Sequence, residues 1–238
     1  MAGRGRMQAI MVTDRPGSSA MGKFVLMLSA AVVWLSIGWA ADPRGSRDKQ
    51  EPGALDAQVK KFLEGRRGAW HDLNVPEADG RKLHDLVVEH KYRNALEIGT
   101  STGHSGIWIA WALAKTGGKL ITIEIDKDRH DQALANFRAA GLAQHIDARL
   151  GDAHELVPAL KGPFDFVFCD ADKEWYNRYF EAVLPKLSAG GCFAAHNISE
   201  RGYEAGYSRS LLQLVRSLPN LETAVFSAGG GMSITFKK

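Results

Sequence analysis

Residues 93–125 read RNALEIGTSTGHSGIWIAWALAKTGGKLITIEI. Arg93–Ile98 is a short apolar run that ends in a glycine-bearing loop, Glu97 to Gly106. Apolar residues then recur at helical spacing over Ser105–Thr116, and Gly117-Gly118 stops that pattern. Lys119–Ile125 follows, rich in β-branched residues. Strand, glycine turn, helix and second strand make one βαβ unit. Such units cross over right-handedly and build parallel sheets.

The same alternation continues toward the C-terminus. A helix is predicted over Lys127–Ala140 with Gly141 as its C-cap, a third strand over His145–Leu150, and a short helix over Ala153–Leu160. Phe164–Cys169 reads as a fourth strand, Glu174–Leu187 as a helix, Cys192–Ala195 as a fifth strand and Gly206–Leu218 as a long helix. Thr223–Ser227 and Met232–Lys237, joined through Gly229-Gly230-Gly231, read as a closing antiparallel hairpin. Upstream, Leu55–Arg66 and Glu77–His90 are amphipathic, the second opening behind Pro76. The expected fold is α/β: a doubly wound, mostly parallel seven-stranded sheet ending in an antiparallel hairpin. Residues 55–238 form one domain.

The first forty residues stand apart. Phe24–Trp39 is a sixteen-residue run without charge, preceded by Lys23 and three arginines, with Gly38 and Ala40 at −3 and −1 of a cleavage after Ala40. These are the marks of a secretory signal, and an uncleaved membrane anchor is the alternative. Residues 1–40 are accordingly read as signal peptide or anchor, and 41–54 as a polar linker, with membrane contact only through residues 24–40. An exported, periplasmic or membrane-bound location follows. An anchored domain facing the cytosol is the other reading, and a cytosolic cofactor would require it. Residues 1–40 also carry the whole net charge of +3, leaving 26 basic and 26 acidic residues beyond them. A neutral domain has no electrostatic footprint for nucleic acid. Cys169 and Cys192, each in an apolar run, read as buried thiols, and the chain has no CxxC or HExxH zinc pattern.

The chemically unusual residues fall at predicted strand ends, where ligands bind in doubly wound sheets. Gly99 permits a tight turn off the first strand, and Gly103 brings backbone close to a ligand at a helix start. The spacing is not the G-x-G-x-x-G of dinucleotide binders, and Glu97 would repel a pyrophosphate. A carboxylate there suits an adenosyl ligand with a cationic tail, and an NAD-linked dehydrogenase is disfavoured. Glu124, ending the second strand, is placed to accept both hydroxyls of a ribose. Asp152, before Ala153, either caps the next helix or meets an adenine amino group. Asp170-Ala171-Asp172-Lys173 and His196-Asn197 end neighbouring strands. Oxygen donors there can hold a hard cation that lowers a hydroxyl pKa, with Lys173 as the base.

Together ALEIGTSTGHSG, TIEID, GDA, FCDADK, AHN and GGGMSITFKK resemble the cation-dependent group of class I S-adenosylmethionine-dependent O-methyltransferases, which includes catechol and caffeoyl-CoA O-methyltransferases. The match runs from about Val75 to the C-terminus. The resemblance implies a Rossmann-like methyltransferase fold and a donor site of Glu97, Gly99, Thr100, Ser101, Gly103, Ser105, Glu124, Asp152, Ala153 and Asp170. It also implies metal ligands at Asp170, His196 and Asn197, and a catalytic Lys173. S-adenosylmethionine and a divalent cation, Mg²⁺ or Mn²⁺, are the implied cofactors, and a small hydroxylated, aromatic acceptor is the implied substrate. A homodimer is compatible with this reading. Two positions depart from the pattern. His196 stands where the family usually has Asp, and imidazole favours softer ions than Mg²⁺ or marks a weakened metal site. Gly230 stands where an acid is frequent. A binding protein that keeps the fold without turnover is therefore the alternative function.

Overall fold

The computed structural model describes residues 52–200 and 206–238. Predicted residues 1–40 and most of the 41–54 linker lie outside them. The linker's last three residues belong instead to the first helix, α1 (Pro52–Gly65), because proline suits a helix's first position. Among the described residues no helix is long and apolar enough to cross a membrane.

The remaining helices are α2 (Glu77–His90), α3 (His104–Thr116), α4 (Lys127–Ala139), α5 (Ala153–Ala159), α6 (Tyr176–Val183) and α7 (Gly206–Ser217). The strands are β1 (Asn94–Ile98), β2 (Lys119–Glu124), β3 (Ile146–Leu150), β4 (Phe164–Cys169), β5 (Leu187–His196), β6 (Leu221–Phe226) and β7 (Met232–Lys237). They form one seven-stranded sheet in the order β3-β2-β1-β4-β5-β7-β6, with β1 to β5 parallel and β7 antiparallel to both β5 and β6. The doubly wound expectation holds.

Two elements differ from their predicted extent. The single helix expected over Glu174–Leu187 is the short α6 flanked by 3₁₀ turns at Lys173–Trp175 and Leu184–Lys186. Pro185 lacks the N–H that would continue the α-helix. Strand β5 starts five residues earlier than expected: Leu187 pairs with Phe164, and Ser188-Ala189-Gly190-Gly191, with the composition of a loop, fills the register break before Cys192 pairs with Phe166.

Strand residues alternate between two cores. On one face Phe166, Phe168, Cys192 and Ala194 meet Leu83, Leu86 and Val87 of α2, Ile109 of α3 and Phe137 of α4. On the other, Val167, Cys169, Phe193 and Ala195 meet Val157 of α5, Phe180 and Val183 of α6, and Leu211 and Val215 of α7. The two thiols are thus free, buried and on opposite faces. Each full burial of a Leu or Phe side chain contributes roughly 1.5–3 kcal/mol. This sandwich rigidly presents the carboxyl ends of β1, β2, β4 and β5 along one edge.

Candidate active site

Chain order reverses between β1 and β4, so the loops after these strands part and leave a crevice. A cavity of about 610 Å³ lies there. Of the residues expected at the site, Gly99, Ser101, Glu124, Asp152, Ala153, Asp170, Lys173, His196 and Asn197 line it. Glu97, Thr100, Gly103 and Ser105 are buried or turned away from that lining and shape the loop from beneath. A separate cavity of about 440 Å³ opens among Trp70, Trp108, Trp111 and His104, and holds none of the expected residues.

The loop after β1 folds back on β2, with Gly99 and Thr100 N–H groups both donating to Ile123 O at 3.1 and 3.2 Å. Gly99 has φ +93°, and a Cβ there would lie 2.4 Å from the Asp170 carbonyl oxygen. Only glycine lets the two loops close to this distance. Gly103, at φ +97°, caps α3, and its Cβ would strike the Phe137 ring. That glycine therefore serves helix packing, where the sequence suggested approach to a ligand.

Glu97 is fully buried. The Thr122 hydroxyl donates to its Oε2 at 2.6 Å and is itself 2.5 Å from the Thr100 hydroxyl. Oε1 has no partner. Burial raises the Glu97 pKa, the Ser105 and Thr122 hydroxyls pull it back, and the outcome is about 7. A buried, half-satisfied carboxyl is costly in the absence of a donor or cation.

Glu124 anchors two loops at once. Its Oε2 accepts from Ser101 N–H at 2.7 Å, and its Oε1 accepts from the N–H groups of Ile125 and Asp126 at 3.1 and 3.0 Å. Asp152 caps α5 by accepting from His154 N–H at 2.8 Å. The His154 ring stacks on Trp175 and reaches Asp172 at 3.0 Å. The cap reading of Asp152 holds, and the cap residue also lines the cavity. At the mouth, Arg129 makes a bidentate pair with Asp72, and Leu73 lies 74% exposed.

The cluster after β4 and β5 is charged and nearly dry. Lys173 Nζ donates to Asp170 Oδ1 at 2.5 Å and to the Tyr176 hydroxyl at 2.7 Å. That hydroxyl donates in turn to the His196 carbonyl oxygen at 3.1 Å. The His196 ring stands between two carboxylates. Nε2 is 2.9 Å from Asp79 Oδ2. Nδ1 is 3.1 Å from Asp170 Oδ2, near enough to pair but out of line for a hydrogen bond, so Nδ1 is left without one. Burial would depress the His196 pKa, but the carboxylates of Asp170 and Asp79 outweigh it and lift it to about 9. Burial likewise works against ionisation of Asp170, and His196 and Lys173 reverse that, holding it below the usual carboxylate range. Asn197 follows with φ +55°, exposed at the cavity wall.

Asp79, Thr122 and Tyr176 escaped the sequence reading. Asp79 did carry a signal. It lies four residues before Leu83 and seven before Leu86, on the apolar stripe of α2, where a carboxylate has no reason to be unless something binds it.

The O-methyltransferase family model matches residues 50–232, more than three quarters of the chain. The chain belongs to the O-methyltransferase family. It is 37% identical over 156 residues to a catechol O-methyltransferase of Niastella koreensis, covering 64% of this chain and 69% of that protein. It is 28% identical over 185 residues to caffeoyl-CoA O-methyltransferase 1 of Eucalyptus globulus, covering 69% and 75%. Among solved structures, an O-methyltransferase from Bacillus cereus in complex with SAH superposes with a TM-score of 0.67 at 27% identity, covering 77% of this chain and 91% of that one. The family resemblance read from the motifs is therefore upheld, and with it the Rossmann-like methyltransferase fold.

Proposed function

We propose that the chain transfers the methyl group of S-adenosylmethionine to a hydroxyl of a small, aromatic acceptor, assisted by a divalent cation. The observation that carries this reading is the convergence of Glu124, Asp152, Asp170 and Lys173 on one 610 Å³ cavity at the switch point. Support for the donor comes from the related Bacillus cereus enzyme, which is described with SAH. In this reading Glu124 accepts from the donor's ribose hydroxyls and Asp152 from its adenine amino group. Leu73, exposed beside the polar wall, supplies the apolar surface that an aromatic acceptor would cover.

The donor group present fits a cation. Asp170, His196 and Asn197 lie along one wall, where a divalent ion would take the place of the positive charge that the His196 ring carries between its two carboxylates. A divalent ion bound there would polarise an acceptor hydroxyl and ease loss of its proton. Lys173, the one lysine in the lining, is the group that takes that proton at Nζ. Tyr176 fixes the Nζ position through its hydroxyl, itself tied to the His196 carbonyl. The loops after β1 and β4 meet at Gly99 and Asp170, and in this reading that contact holds the acceptor oxygen and donor methyl in line.

Calorimetric titration of the full chain with S-adenosylmethionine, with and without divalent cations, tests this. Donor binding is expected in both conditions, with turnover of a catechol-type acceptor only when cation is present. Absence of donor binding in either condition would sink the reading. The export or anchoring of residues 1–40 is a separate proposal, tested by N-terminal sequencing of the mature chain.

A further inference from the structure

The second cavity, of about 440 Å³, is lined from α1, α2 and α3 and shares no lining residue with the crevice at the switch point. Segment 70–76 divides the two. Leu73 and Asn74 line the crevice, whereas Trp70, Val75 and Pro76 line the second cavity. Its volume falls in the range of roughly 300–1,000 Å³ found for small-molecule sites.

One wall is aromatic. The Trp70 ring stacks on His104 with centroids 4.5 Å apart, and Trp108 and Trp111, three residues apart on α3, lie 5.6 Å from one another. The polar atoms of α3 here are already engaged: Trp108 Nε1 donates to His104 Nε2 at 3.0 Å, His104 Nδ1 donates to the Val75 carbonyl oxygen at 2.9 Å, and Trp111 Nε1 donates to Asp56. These rings offer an occupant flat apolar surface and no hydrogen bond. The rim differs. Lys60, Arg67 and Arg81 stand there against Glu64 and Glu77. Glu77 is shared by Arg67 and Arg81, at 3.5 and 2.5 Å, and those two side chains remain 67% and 60% exposed. Two guanidinium groups carry more N–H donors than one carboxylate can engage. Aromatic walls can also attract cations, but these rings already carry the protein's own: Arg66 lies 5.5 Å from the Trp70 centroid, Arg81 5.4 Å from Trp108 and Lys115 4.4 Å from Trp111. A cationic occupant would meet that charge, whereas an anionic one is drawn to it.

We propose that this cavity is a second small-molecule site that takes a planar aromatic carboxylate, its ring along Trp70, Trp108 and Trp111 and its carboxylate held by Arg67 and Arg81. The body of the ligand is flat and apolar because the wall offers it ring surface alone. Its head is anionic because the rim carries three cations to two carboxylates and has guanidinium N–H groups to give. A guanidinium grips a carboxylate with two parallel hydrogen bonds, which fixes the orientation of the head. The site needs neither methyl donor nor divalent cation, so it stands or falls independently of the reaction proposed above.

Calorimetric titration of the full chain with 2-naphthoate is the test, since this probe has the flat body and the anionic head but no hydroxyl to be methylated. One-to-one binding is expected, with Kd on the order of 10⁻⁵–10⁻⁴ M. The neutral counterpart, 2-naphthalenemethanol, is expected to bind at least tenfold more weakly, and the cation 2-naphthylmethylammonium not measurably. Arg67→Gln combined with Arg81→Gln alters two exposed side chains and is expected to weaken 2-naphthoate at least tenfold. Leu73→Asn, in the lining of the other cavity, is expected to leave its affinity unchanged. Absence of 2-naphthoate binding at millimolar concentration overturns the inference. So does equal affinity for the neutral alcohol, or binding that the paired arginine change leaves untouched. Loss of binding in Leu73→Asn also overturns it, because the probe would then occupy the crevice assigned to methyl transfer.

Discussion

Gly230 and His196 share one small volume: a Cβ at position 230 would come within 2.8 Å of the imidazole Nε2 and 3.0 Å of Cε1. The residue that departs from the family on β5 and the one that departs in the closing hairpin are therefore one structural unit. An acid at 230 would need the room that the ring and Asp79 already fill.

Gly230→Ala is accordingly expected to cost about 1–3 kcal/mol, the usual penalty of overpacking. In a His196→Ala background the cost should fall below half of that, because the ring is the atom group struck. Urea unfolding of the two single variants and the double variant measures this coupling. An equal cost in both backgrounds would mean that Gly230 answers to the backbone and not to His196.

Glu97 ties stability to pH with an unusual sign. Its pKa rises from 4.5 to about 7 in the fold, so the folded protein keeps a proton that the unfolded chain releases. Stability from this group is full below about pH 4.5, declines as pH climbs to about 7, and stays lower above it. Glu97→Gln, permanently neutral, is expected to match the ligand-free wild type near pH 4 and exceed it at pH 8 by up to ~3 kcal/mol. Thermal unfolding across that pH range reads the effect.

Lys173→Ala is expected to lower kcat by a factor of about 10²–10⁴, the span of general-base catalysis, while donor affinity stays within a few fold. Single-turnover kinetics beside donor titration make the comparison. Retention of wild-type kcat would remove Lys173 from the role of base.

Glu124 holds three backbone N–H groups as well as its proposed ribose. Glu124→Gln keeps one acceptor oxygen and should weaken adenosine-containing donors at least tenfold with a modest drop in Tm. Glu124→Ala removes both oxygens and leaves the three part-exposed N–H groups to water, so it should lower Tm further than Glu124→Gln as well as the donor affinity. Equal Tm for the two variants would deny the anchoring role.

The alternation of strands and helices, the glycine turn after β1 and the hairpin were legible from residues 93–125 and 223–237 because each depends on neighbours within a few positions. Helix periodicity, a proline at a helix start and a glycine at a turn are local constraints that any fold of this chain must respect. The clustering of Glu124, Asp152 and Asp170–Lys173 at strand ends followed from the same local reading plus the rule that ligands sit at a switch point. Family motifs then supplied roles, and His196 and Gly230 announced themselves by breaking them. Their partner did not. Asp79 lies 117 residues from His196 and 151 from Gly230, and only packing of α2 against the sheet brings the three together. Burial was equally out of reach: Glu97 has a raised pKa because the folded loop strips its water, and Gly103 faces Phe137 because α4 packs against the loop that opens α3. Local order is written in short-range sterics, whereas acidity and the shape of the site arise from contacts between distant segments that exist only once the sheet has closed.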